Sequence, residues 1–122
     1  QADTEKQQTY YDEALKAIMK AHELAPTDAK IAYNLGVLYG QTGNTQKGIE
    51  ILQQTTALKP NYRDAYFALG LFYHQLAVDK NENVIDPALQ KKAVEAYEYI
   101  LKNISSEDEQ VKKTLKEWAG TN

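Results

Sequence analysis

Ala32-Tyr33-Asn34-Leu35-Gly36-Val37-Leu38-Tyr39 is answered, 34 positions on, by Tyr66-Phe67-Ala68-Leu69-Gly70-Leu71-Phe72-Tyr73. Leu-Gly falls on Leu-Gly, Tyr39 on Tyr73 and Tyr33 on Phe67. The same offset carries Pro26 onto Pro60, Leu24 onto Leu58, Ile18 onto Leu52 and Ala14 onto Gly48. A fixed period of this size marks stacked helical hairpins, each too small to bury its apolar face alone. The small residues explain how such hairpins close. Gly36 and Gly70 lack a side chain where two helices must approach, and Ala14, Gly48 and Ala93 are small at the facing positions.

Working outward from this core, prolines at 26, 60 and 87 punctuate a chain whose apolar spacing is otherwise helical. Ala14, Ile18, Ala21 and Leu24 form one stripe. Six helices are predicted. The first runs from about Thr9 to Leu24, with Gln1 to Gln8 polar throughout. Asp28 caps a second that ends at Gly40 to Gly43, where Gly43-Asn44 supplies a turn. A third covers Thr45 to Leu58, and a fourth Arg63 to about Val78. The polar run Asp79-Lys80-Asn81-Glu82-Asn83 follows. Asp86-Pro87 is a cap and first-turn proline for a fifth helix reaching Lys102. Ser106-Glu107-Asp108-Glu109 reads as a capping box for a sixth reaching Trp118. On that last helix Val111, Leu115 and Trp118 make an apolar stripe opposite Lys112, Lys113, Lys116 and Glu117, the pattern of a terminal cap. The fold class is all-α, about six helices with a C-terminal capping helix.

The chain resembles the tetratricopeptide repeat family. The resemblance rests on Ala32-x-x-Leu35-Gly36-x-x-Tyr39 with Gly48-x-x-x-Leu52, Thr55 and Pro60, and on Tyr66-x-x-Leu69-Gly70-x-x-Tyr73 with Ala93-x-x-x-Tyr97. A half unit, Ala14-x-x-x-Ile18-x-x-Ala21 and Pro26, precedes both. It implies a right-handed superhelical array of antiparallel hairpins forming one domain over 1–122. That domain divides into a partial repeat over 1–28, a full repeat over 29–62, a repeat over 63–103 with an inserted loop at about 77–86, and a capping helix over 104–122. Ala32 and Thr55 depart from the usual aromatic and alanine. The family also implies a non-catalytic scaffold that binds a peptide or protein segment in a concave groove lined by the first helix of each hairpin.

Positions spaced to face that groove are Lys30, Tyr33, Val37, Asp64, Phe67, Leu71 and His74, with Asn34 and Gln41 flanking. The expectation is that Tyr33→Ala and Phe67→Ala weaken binding and leave the fold intact. The alternative is that Tyr33, Phe67 and Leu71 pack on one another and on neighbouring helices. Asn34 stands where the central Asn of a carboxylate-gripping clamp would be, but Asp64 and Ala68 stand where its cations are required, so a C-terminal carboxylate would be poorly paired there.

Other chemistry finds little support. The chain of 122 residues has no cysteine, which removes disulfides, zinc–thiolate sites and thiol catalysis. Net charge is −3 with the basic residues scattered, which argues against nucleic acid. His22-Glu23 lacks the second His of a zinc helix, and Ser105 and Ser106 have no neighbouring His for a triad. Asp79-x-Asn81-x-Asn83-x-Ile85 has Val84 where a calcium loop needs Gly, and Gln90 where it needs a closing Glu. No enzyme, cofactor or metal is therefore expected, and no membrane insertion of this segment.

The sequence opens on Gln1 rather than Met, which fits a processing or cloning boundary. Two alternatives to the peptide scaffold follow. One is a homodimer through the N-terminal half repeat, where Leu15, Ile18 and Met19 lack their first-helix cover. The other is a soluble tail of a larger membrane, secretion or polysaccharide-assembly protein. Either leaves the compartment open, cytoplasmic or periplasmic/extracytoplasmic.

Overall fold

A computed structural model describes residues 2–120, with the side chain of Ala2 outside the description. Six helices are present in the described residues: α1 (Ala2–Leu24), α2 (Ala29–Gln41), α3 (Thr45–Leu58), α4 (Arg63–Ala77), α5 (Pro87–Asn103) and α6 (Glu109–Gly120). Pairing outside helices amounts there to one isolated antiparallel bridge, Val78 with Val84. The chain divides into two compact units, Gln1–Lys59 and Pro60–Asn122.

In the first unit α2 and α3 form a hairpin across Thr42-Gly43-Asn44. Gly43 takes the left-handed conformation (φ 91°) that the turn requires. Asn44 Oδ1 then accepts the Lys47 N–H at 3.3 Å and opens α3. The helices close at Gly36: a Cβ placed there would lie 2.8 Å from Leu52 Cγ and 3.2 Å from the Gly48 carbonyl oxygen. Ala32, Leu35 and Ile51 form a core on which Leu15 and Ile18 of α1 and Tyr39 of α2 pack. Thr55 is fully buried and donates its hydroxyl to the Ile51 carbonyl at 2.9 Å, so a polar group sits in this core without cost.

The second unit repeats the contact with an aromatic residue. A Cβ on Gly70 would lie 2.5 Å from Tyr97 Cδ1 and 3.3 Å from the Ala93 carbonyl oxygen. Ala93, Tyr97 and Ile100 of α5 with Val111 and Trp118 of α6 make the core. Asp86 Oδ1 accepts the Leu89 N–H at 3.1 Å, with Pro87 in the first turn of α5.

The structure corrects two boundaries. α1 begins at Ala2, not near Thr9. The polar lead holds good helix formers at Glu5, Lys6, Gln7 and Gln8, and Asp3 and Glu5 sit in the first turn where the helix dipole favours acids. Gln8 Nε2 also donates to Asp12 Oδ1 at 3.1 Å along the helix. α6 begins at Glu109, and its cap is Asp108, whose Oδ1 accepts the Val111 N–H at 3.1 Å. Ser106 lies in the preceding turn, so the capping box read at Ser106 does not form. α4 stops at Ala77 because Val78 turns extended to pair with Val84.

Candidate functional site

The first helix of each hairpin carries the residues expected to meet a partner. In α2, Ala32, Leu35 and Gly36 are buried and fix the inward face. On the other side Lys30, Asn34 and Gln41 are exposed and Val37 is half-buried, spaced 4-3-4 along one stripe. Tyr33 is half-buried at the edge of that stripe and is engaged in contacts within the protein. The start of the helix is pinned by Asp28, whose Oδ1 accepts the Ile31 N–H at 3.1 Å. The outward stripe of α2 is therefore two amides, one aliphatic side chain and one ammonium.

In α4, Asp64, Leu71 and Gln75 are exposed, and Ala65, Ala68, Leu69 and Phe72 are buried. Phe67 and His74, expected beside them, are half-buried and stack on neighbouring rings. Phe67 stacks on Tyr97 with centroids 4.8 Å apart, and Tyr97 stacks on Trp118 at 4.7 Å. Trp118 stacks in turn on His74 at 4.7 Å. Arg63 closes the column from the other end, its guanidinium carbon 4.4 Å from the Phe67 centroid. Five side chains from three helices thus form one stack. Its ends are fastened by polar contacts: Arg63 to Asp108 and Gln110, and His74 Nε2 donating to Glu82 Oε1 at 3.0 Å, with Nδ1 2.8 Å from Gln90 Oε1.

This stack was not visible in the sequence. Trp118 and Tyr97 read there as separate core positions, and nothing in the 34-residue period links Trp118 to His74. Leu71 stays at the surface.

The inserted loop is closed on itself. Asp79 Oδ1 accepts the N–H groups of Asn81 at 2.8 Å and Asn83 at 3.0 Å. These backbone donors, Asn83 first, hold the Asp79 carboxyl below the usual range. The Ile85 and Asp86 N–H groups both donate to the Ala77 carbonyl, at 2.7 and 3.0 Å, and bring the chain back to α4. The Asp79 carboxylate is thus spent on its own loop. Among the described residues no group of three or more His, Asp or Glu side chains gathers as a metal site would require. No helix among them is long and apolar enough to cross a membrane.

Both hairpins close a first-helix glycine against the second helix, and the tetratricopeptide repeat model matches residues 7–71. The chain belongs to the tetratricopeptide repeat family. No curated protein matches it. Members of this family serve as protein-interaction scaffolds, and the two glycine contacts account for the hairpins on which such a scaffold is built.

Proposed function

We propose that this tetratricopeptide repeat chain is a non-catalytic module that binds a peptide or protein segment on the outward stripe of a hairpin's first helix, α2 in the first unit and α4 in the second. The observation that supports it most is the division of labour on α2. One side is consumed by the core, while Lys30, Asn34, Val37 and Gln41 present a stripe of mixed chemistry outward. Asn34 and Gln41 each carry donors and an acceptor, which suits the N–H and C=O groups of a bound backbone. Val37 adds apolar contact, and Lys30 favours an acidic ligand residue. The stripe of α4 differs in offering Asp64, Leu71 and Gln75. An acid at that point disfavours a ligand carboxylate and favours a neutral or cationic residue.

A displayed library of random peptides, selected on the intact chain, tests this. Selected peptides should lose at least tenfold in affinity against Asn34→Ala/Val37→Asp and bind Lys47→Ala, on the first turn of α3, normally. Selection of peptides indifferent to the α2 and α4 stripes overturns the reading.

A further inference from the structure

A second surface lies on α1. This helix packs on its own unit through Leu15 and Ile18. Around the helix from these, Tyr10, Ala14, Ala17, Ala21 and Leu24 follow one another at 4-3-4-3 spacing, the seam of a helix pair. Tyr10 is 68% exposed and Leu24 74%. The repeat shows what kind of object such a face takes. Ala14, Ile18 and Ala21 stand 34 positions before Gly48, Leu52 and Thr55, which are buried where α2 closes on α3. On α1 the same three positions are only half-buried.

We infer that this flank pairs with the same flank of a second copy, α1 against α1 in antiparallel fashion about a two-fold axis. Two features of the stripe select this occupant. The first is size. In the antiparallel register that sets Ala14 against the partner's Ala17, Tyr10 lies against the partner's Ala21, so large meets small and the alanines let the backbones approach. The second is charge. Glu13 and Lys20 border the seam on one edge, and this register sets each Glu13 beside the partner's Lys20, twice by symmetry. A parallel pair would put the two Glu13 on opposite edges of the seam, Glu13 facing the partner's Ile18, and would pair neither charge. Lys20 also reaches Glu23 of its own helix at 3.3 Å, but that pair is largely exposed and costs little to open. The surface is distinct from the α2 and α4 stripes, so a chain that binds peptide as a monomer would disprove the dimer and leave the proposed function standing.

The chain has no cysteine, so one introduced thiol reports cleanly. In the proposed register two Ala17 positions lie about 4–5 Å apart along the axis, and two Leu24 positions about 25 Å apart. Under mild oxidation Ala17→Cys should give a linked dimer and Leu24→Cys should not. By sedimentation equilibrium at up to about 1 mM chain, Glu13→Lys should weaken self-association about tenfold, and Glu13→Lys/Lys20→Glu should restore it. All four variants change exposed side chains, and circular dichroism should confirm unchanged helix content. A monomer throughout that range overturns the inference. So does equal linking of both cysteine variants, or failure of the charge swap to restore what Glu13→Lys removes.

Discussion

Arg63 at the start of α4 and Asp108 at the start of α6 meet through two hydrogen bonds, Nε to Oδ2 at 2.8 Å and Nη2 to Oδ1 at 3.1 Å. The same Asp108 caps α6 through the Val111 N–H, so one carboxylate both docks the last helix and starts it. Its side chain is only 12% exposed, which separates it from an ordinary surface pair. Asp108→Ala removes a bidentate charged contact and a helix cap together, and should cost about 2–3 kcal/mol. The guanidinium beside it, more than its backbone donors, holds the Asp108 carboxyl below the usual range. A depressed carboxylate stabilises above its unfolded pKa of about 3.9 and loses that contribution as pH falls through the folded value. Thermal melts across pH should show the gap between wild type and Asp108→Asn narrowing below about pH 4. A gap that stays constant into acid would refute the assignment.

Gly36 and Gly70 occupy matched places but face different neighbours. A methyl group at Gly36 meets Leu52 Cγ at 2.8 Å, whereas at Gly70 it meets the flat ring of Tyr97 more closely, Cδ1 at 2.5 Å. That ring is held on both faces by Phe67 and Trp118. Alanine gains about 1 kcal/mol in helix propensity at either site, while overpacking costs about 1–3 kcal/mol. Gly70→Ala should therefore destabilise by about 1–2 kcal/mol and Gly36→Ala by less. Gly120→Ala serves as the control, since a Cβ there meets nothing within 4 Å. Denaturant melts giving the opposite order would show that the ring yields more readily than the leucine.

Tyr97 is the largest fully buried side chain of the second unit, and its hydroxyl has no hydrogen-bond partner among the described residues. Burial drives its phenol well above the ordinary tyrosine value, while Arg63 nearby pulls weakly the other way. A group raised in the folded state contributes fully below its unfolded pKa, about 10 here, and that contribution is lost as pH rises beyond it. Tyr97→Phe keeps the stack, removes the unpaired hydroxyl and should be neutral or stabilising by about 1 kcal/mol at pH 7. Above pH 10 the advantage of Tyr97→Phe over wild type should grow. If the variant is markedly less stable at pH 7, the hydroxyl has a partner after all.

Much of this architecture is legible in the chain. The prolines at 26, 60 and 87 and the turn at Gly43 bound the central helices, and the 34-residue offset pairs Gly36 with Gly70, the two points where the hairpins close. The first turns of α1 carry no apolar period from Asp3 to Gln8, although Glu5, Lys6, Gln7 and Gln8 favour helix. The cap of α6 was misplaced because Ser106 and Asp108 are both good caps, and only Arg63, 45 positions away, decides for Asp108. On α2 the outward stripe could be read because Ala32 and Leu35 define the opposite side. On α4 nearly every residue is apolar, so its pattern offers no means of dividing surface from interior. The aromatic column, built across three helices, makes that division.

That division separates two neighbouring positions in a way melting and binding can check. Phe67 lies between Arg63 and Tyr97, while Leu71, one turn on, is exposed at the surface. Phe67→Ala opens the column and removes a ring from both neighbours, and should cost about 2–3 kcal/mol. Leu71→Ala loses little packing and should stay within about 0.5 kcal/mol of wild type. Any binding defect of Phe67→Ala is then confounded with instability, whereas Leu71→Ala reports on the α4 stripe alone. Under the proposed function, peptides selected on the intact chain that use this stripe should bind Leu71→Ala more weakly at an unchanged melting temperature. A Leu71→Ala variant that melts several degrees lower would place this side chain in the core and take it out of the docking surface.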